Sequence, residues 1–170
     1  ATLWHVNAVL QYLKYTGDFT FIQDQLWEIL KEIGENHFQG TAFGIRVDND
    51  GLLEHGARLT WMDAEVDGKG VTPRAGKAVE IQALWYNALR TVELIATKFK
   101  QEKLAESYAQ LADKVEVSFN SKFWNQKRTC LFDVIDNFGA DASLRPNQVI
   151  AASLDYNLLT TEKNMQIIDV

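Results

Sequence analysis

The strongest constraint on how this chain can fold is an interruption. Between Thr41 and about Lys77 the apolar periodicity disappears, and this stretch holds six of the ten glycines and one of the two prolines. Loops longer than about 12–15 residues are uncommon inside compact domains and usually serve a function. On either side the pattern is helical. Leu3, Val6, Leu10 and Leu13 recur at helical spacing until Thr16-Gly17-Asp18 breaks the run. Ile22, Leu26, Ile29, Leu30 and Ile33 mark one face of a second helix that stops near Gly40. The two predict an antiparallel helical hairpin with a short turn.

Beyond the interruption, Ile81, Leu84, Trp85, Ala88, Val92 and Ile95 predict a helix from Ala78 to about Lys100. Leu104, Tyr108, Leu111, Val115 and Phe119 predict another from about Glu102 to Phe123, with Phe119, Phe123 and Trp124 as core. Pro146 stands where a helix begins, since its missing N–H costs nothing in a first turn. Val149, Ala152 and Leu154 continue that helix, and a last one starts after Thr160 with Glu162 in its first turn. Inside the interruption, Phe43, Ile45 and Val47 alternate ahead of Asp48-Asn49-Asp50-Gly51 and Leu52-Leu53, the pattern of a small β-hairpin. Leu131, Asp133 and Ile135, followed by Asp136-Asn137, predict a second.

The expected fold class is therefore all-α: part of an (α/α)6 toroid, in which helical hairpins carry short β-hairpins in their loops. A linear helical repeat is the plainer alternative, and the long central loop weighs against it. Six helices are about half of a twelve-helix ring, so residues 1–170 are read as about half of a single domain. Both ends look cut, because the chain opens at Ala1 inside one apolar helical pattern and stops at Asp169-Val170 inside another.

Composition narrows the partners. The net charge is −6 and no Lys/Arg run occurs, so no nucleic acid is expected; a neutral, polyhydroxylated ligand suits the charge better. No apolar run approaches the ~20 residues of a membrane helix. The single cysteine, Cys130, gives no sign of an oxidising compartment, and the cytoplasm is the expected location. His5, His37 and His55 lack metal-ligand spacing, so no metal is expected. The serines sit in no nucleophile elbow and the glycines in no phosphate loop.

Chemistry-bearing residues concentrate in Thr60-Trp61-Met62-Asp63-Ala64, Thr72-Pro73-Arg74 and Val79-Glu80-Ile81. Sugars present flat C–H faces rimmed by hydroxyls, and an aromatic plate beside carboxylates and a guanidinium matches both. Each residue also has an ordinary role open to it. Asp63 could cap a turn, Glu80 could favour a helix dipole, and Trp61 could be core. Trp4 and Trp85 could line a sugar site or the core, and Asn147 and Gln148 could bind a sugar or cap a helix start. Asp63, Trp61, Arg74 and Glu80 are expected to share one concave pocket.

From Leu59 to Arg90 the sequence resembles the signature of glycogen-debranching enzymes of the amylo-α-1,6-glucosidase type. The likeness runs through the three motifs above, Gly76-Lys77, and Ala83-Leu84-Trp85-Tyr86-Asn87-Ala88-Leu89. It extends to Leu3-Trp4, Thr16-Gly17-Asp18, Asp50-Gly51-Leu52 and Arg145-Pro146-Asn147-Gln148. His5 departs from the aromatic more usual there. The resemblance implies a partial catalytic domain on an (α/α)6 barrel and an inverting glycoside hydrolase that cleaves α-1,6-glucosidic branch stubs of glycogen or limit dextrin without a cofactor. It makes Asp63 the general acid, and Trp61, Arg74, Glu80, Trp4, Trp85, Asn147 and Gln148 the substrate-binding set. Its general base is a glutamate further along the chain, matched by no position here. Asp63 must then stay protonated near neutral pH, through burial near Trp61 or a neighbouring acid such as Glu80. Two alternatives remain: a glucoamylase- or trehalase-like glycosidase, and a non-catalytic carbohydrate-binding helical domain.

Overall fold

The computed structural model describes residues 1–169; Val170, where the sequence reading places the end of the last apolar pattern, lies outside them. Helix α1 (Thr2–Thr16) buries Leu3, Val6, Val9, Leu10 and Leu13, the predicted stripe plus one. Gly17 ends it in the left-handed conformation, φ 64°, where its N–H bonds back to the Leu13 carbonyl at 2.8 Å. Asp18 restarts the helix by accepting the Phe21 N–H on its side chain. The next helical segment has three parts: α2 (Phe19–Phe21), a π-helical stretch (Ile22–Leu26) and α3 (Trp27–Gln39).

That π stretch changes the buried face. Ile22 is buried, but the next buried residues are Trp27, Leu30, Gly34 and His37, while Leu26 is half-buried and Ile29 exposed. The five-residue step from Ile22 to Trp27 is the i→i+5 spacing of a π-bulge, which the even 3.6-residue pattern of the sequence concealed. Gly34 then lets α3 lie close on its neighbour, since a Cβ there would stand 1.9 Å from the Tyr108 hydroxyl oxygen.

Two small antiparallel hairpins follow in the aperiodic stretch. Strand β1 (Arg46–Val47) pairs with β2 (Leu53–Glu54) around the predicted Asp48–Gly51 turn. Strand β3 (Glu65–Val66) pairs with β4 (Lys69–Gly70) around Asp67-Gly68, a hairpin that the sequence pattern did not predict. A short β5 (Lys77–Ala78) leads directly into α4 (Val79–Lys98).

Helix α4 is the centre of the fold. Residues around its whole circumference are buried, from Val79 and Gln82 through Trp85, Asn87 and Leu89 to Ala96, as befits a helix wrapped by others. It packs against α1, α5 (Glu102–Lys122) and α6 (Asn147–Ser153). Beyond α5, β6 (Trp124–Asn125) pairs with β7 (Cys130–Leu131), and β8 (Val134–Asp136) pairs with both β5 and β9 (Gly139–Asp141). Phe119 and Phe123 stack in the core with centroids 4.7 Å apart. The predicted apolar face of α6 is only partly realised: Val149 is exposed, whereas the polar Asn147 and Gln148 are buried. The last helix, α7 (Thr161–Ile168), is capped by Thr160. The architecture is thus mainly helical, with small antiparallel sheets in the connections.

Candidate active site

Beneath the Thr60–Ala64 run lies a buried network of charge. Arg74 follows Pro73 with a left-handed backbone, φ 44°, an uncommon conformation for a side chain with a Cβ. Its residue is 5% exposed. Nε donates to Asp133 Oδ2 at 2.8 Å; Nη1 donates to Glu80 Oε1 at 2.6 Å and Thr60 Oγ1 at 3.2 Å; Nη2 donates to Glu80 Oε2 at 2.6 Å and Asp133 Oδ1 at 2.9 Å. A guanidinium has five N–H donors, so every one is engaged within the protein. Burial works against its charge, yet Glu80 and Asp133 outweigh it and raise the arginine's pKa further above its ordinary value.

Local structure brings the two acids together. Glu80 occupies the first turn of α4, where the helix dipole favours a carboxylate. Asp133 arrives because β8 pairs with β5, and its carbonyl accepts the Val79 N–H at 3.0 Å. The Asp133 carboxylate accepts two further bonds, from Arg145 Nη1 at 2.5 Å and Asn147 Nδ2 at 2.6 Å. Arg145 also donates to Asp141 at 2.7 Å. Burial alone would raise the Asp141 pKa, but Arg145 dominates and holds it at about 2.

The network reaches the surface through Asn147. This residue is wholly buried in the first turn of α6, and its Oδ1 accepts the Trp61 indole N–H at 2.8 Å. The amide orientation is unambiguous, because a carboxylate only accepts and an indole N–H only donates. Trp61 is itself 58% exposed: an aromatic plate open to solvent and held by its edge from below. Met62 is tied to the same amide through its sulfur, 3.5 Å from Nδ2. Asp63 is exposed. What the arrangement offers a ligand is an exposed aromatic surface held at its indole N–H, two residues along the chain from an exposed carboxylate.

The sequence model of the Amylo-alpha-1,6-glucosidase family matches residues 1–170, the whole of this network included. The chain belongs to that family. A relative of this chain, solabiose phosphorylase of Paenibacillus borealis, is 30% identical over 128 residues, covering 72% of this chain and 16% of the phosphorylase. Among solved structures, the GH78 family rhamnosidase of Bacillus sp. GL1 superposes with a TM-score of 0.74 at 20% identity, over 98% of this chain and 16% of that one. A rhamnosidase from Klebsiella oxytoca, solved with rhamnose bound, gives 0.61 at 17% identity, over 98% of this chain and 29% of that one. Both likenesses speak for the fold. The chain spans under a third of each of these proteins.

In this amylo-alpha-1,6-glucosidase family member the predicted site residues separate into surface and support. Trp61 and Asp63 are at the surface, whereas Arg74 and Glu80 lie beneath it, with both Glu80 oxygens bonded to Arg74 and the remaining Arg74 donors taken by Asp133 and Thr60. The expected four-residue pocket is therefore not formed: Trp61 is linked to Arg74 and Glu80 through buried amide and carboxylate groups, and Asp63 stands outside the linkage. Trp85 is core, 1% exposed, donating its indole N–H to the Gly51 carbonyl at 3.1 Å and stacking on His37. Trp4 is 45% exposed and lines a small pocket with Thr2, Leu59 and Ile81. Gln148 is spent on the Leu131 N–H at 3.1 Å.

Asp133 and Arg145 were not among the predicted site residues. A usable signal existed for the first: an acid between Phe132 and Val134 in a predicted strand must be buried with a partner or face the wrong way. Among the described residues, no group of His, Cys, Asp and Glu is arranged to hold a metal ion, and no helix is long and apolar enough to cross a membrane.

Proposed function

We propose that this chain supplies part of the catalytic domain of an α-1,6-glucosidase that removes the single glucose left at a branch stub of glycogen or limit dextrin. Asp63 protonates the departing glycosidic oxygen. A water on the opposite face of the sugar, activated by a carboxylate outside these residues, completes an inverting displacement; such pairs stand ~6.5–9.5 Å apart, a span suited to separate loops of a ring. No cofactor is required. The all-round burial of α4 against α1, α5 and α6 supports a place for it as an inner helix of an (α/α)6 toroid, of which residues 1–170 form about half. The location remains cytoplasmic in this reading.

The observation that carries the reading is the exposed Trp61 plate, pinned by buried Asn147, two residues before exposed Asp63 within the family's motif. Glu80 is engaged by Arg74 and Asp63 is exposed, so in the free chain neither burial beside Trp61 nor Glu80 encloses the acid. The test is to give the full-length protein limit dextrin and follow the anomer released. β-Glucose appearing first supports the proposal, whereas α-glucose, or no glucose, defeats it.

The resemblance to solabiose phosphorylase favours one second reading, in which phosphate takes the place of water at the same plate and acid. Release of a sugar phosphate only when inorganic phosphate is supplied would select it.

A further inference from the structure

We infer that Asn147 and Asp133 are positioning residues that set the plane of the Trp61 indole, and thereby the affinity of the sugar that stacks on it. The inference rests on the proposed function for its ligand, an α-linked glucose unit, but its geometric core is independent of that reading.

A tryptophan that is 58% exposed ordinarily has freedom about both side-chain torsions, because little packs against it. Trp61 has one polar atom, Nε1, and that atom is bonded to a residue from the far end of the chain, Asn147. Asn147 cannot rotate to suit the indole. Its other end is held by the Asp133 carboxylate at 2.6 Å, and Asp133 is itself fixed by Arg74 and Arg145. Rotating the amide by half a turn would set its oxygen against the Asp133 carboxylate and its NH2 against the indole N–H, replacing two good bonds with two repulsions. The orientation of an exposed ring is thus dictated by a charge cluster that is almost wholly buried. Sugar C–H faces need a parallel ring at contact distance, so a plate fixed in advance spares the ligand the cost of ordering it.

Two conservative variants separate positioning from general support. Trp61→Phe keeps an aromatic plate and removes the N–H; Asn147→Ala keeps the plate and removes the acceptor. A hydrogen bond of this kind accounts for about a 3- to 10-fold effect. Each variant is expected to raise KM for a branched dextrin by that factor while lowering kcat less. The double variant should be no worse than the weaker-binding single, because both remove the same link. Additive effects in the double variant would overturn the inference.

A readout free of substrate tests the geometry alone. In protein labelled with 5-fluorotryptophan, the resonance missing from Trp61→Phe belongs to Trp61. In Asn147→Ala it should shift and narrow as the ring gains freedom, and an unchanged line would overturn the inference. Asp133→Asn, if it folds, should show the same change; the Asn147 variant decides the matter if it does not. A protein that shows the fluorine change yet neither binds nor cleaves an α-glucan would instead defeat the proposed function and leave the positioning intact.

Discussion

Arg74 and Glu80 face each other through two parallel hydrogen bonds, Nη1 to Oε1 and Nη2 to Oε2, each 2.6 Å long. Both side chains are almost completely buried. Removing one member of such a pair strands the other charge in a medium that cannot solvate it. Arg74→Ala should therefore cost about 3–5 kcal/mol of stability, measured by urea denaturation. Arg74→Lys should recover only part of this, because an ammonium cannot make the two-pronged contact. A neutral result for Arg74→Ala would mean that Asp133 and Glu80 find other partners.

Gly76 holds β5 against β8. Its φ is 112°, and a Cβ there would lie 2.6 Å from the Ile135 carbonyl oxygen. Gly76→Ala combines backbone strain with a clash against fixed main chain, for an expected loss on the order of 2–3 kcal/mol. Gly17→Ala is the control. That glycine has φ 64° with nothing within 4 Å of an added Cβ, so only the conformational term of about 1 kcal/mol applies. Thermal unfolding of the two variants side by side checks the difference.

Two buried histidines make stability depend on pH. Burial lowers the pKa of both His37 and His55, and in each Nδ1 donates to a carbonyl, of Ile33 at 2.7 Å and Gly56 at 2.8 Å. In the unfolded chain they take up protons below about pH 6.5, while the folded protein resists. The unfolded state then binds more protons, so stability falls as pH drops through that value and is regained above it. Melting temperature should decline from about pH 7 to pH 5, and a flatter slope in His37→Gln would identify its share. A profile flat across this range would show that neither group is neutral by virtue of the fold.

As the proposed general acid, Asp63 should separate chemistry from stability. Because it is exposed, Asp63→Asn should leave the melting temperature within about 0.5 kcal/mol of equivalent stability. In the full-length protein it should reduce glucose release from limit dextrin by roughly 10²–10⁴-fold, since an amide has the shape of the acid but no proton to deliver. Near-normal turnover would move the acid elsewhere and favour a binding role for this surface.

How much of this was legible in advance depends on what kind of signal each residue carries. The α1 stripe and the Asp48–Gly51 turn could be read because spacing and turn chemistry are local. Trp61 and Asp63 stood out as a motif, and both are at the surface. Their supports were legible only as residue types. That Arg74 serves Glu80 and Asp133, and not a substrate, follows from a strand pairing between β5 and β8 that joins positions nearly sixty residues apart. Asn147 and Gln148 read as polar residues at a helix start, with nothing local to show that they turn inward. Trp85 belonged to the most family-like run of the sequence, yet its place is in the core.

The π-helical stretch from Ile22 to Leu26 sets a reading frame for the helix that follows it. One residue more or less in a helix rotates everything downstream by about 100°. Deleting any one of Gln23, Asp24 or Gln25, all exposed, would restore ordinary helical pitch and look harmless at the surface. Trp27 would then follow Ile22 by four residues, the ordinary same-face spacing of an α-helix, so Trp27, Leu30, Gly34 and His37 would stay on the buried face and Gly34 would stay at the Tyr108 hydroxyl, where no side chain fits. The π stretch is therefore the one place in this segment where a residue can be lost without turning the buried face, whereas straightening it into an unbroken α-helix at its present length would rotate Trp27, Leu30, Gly34 and His37 off the core by about 100°.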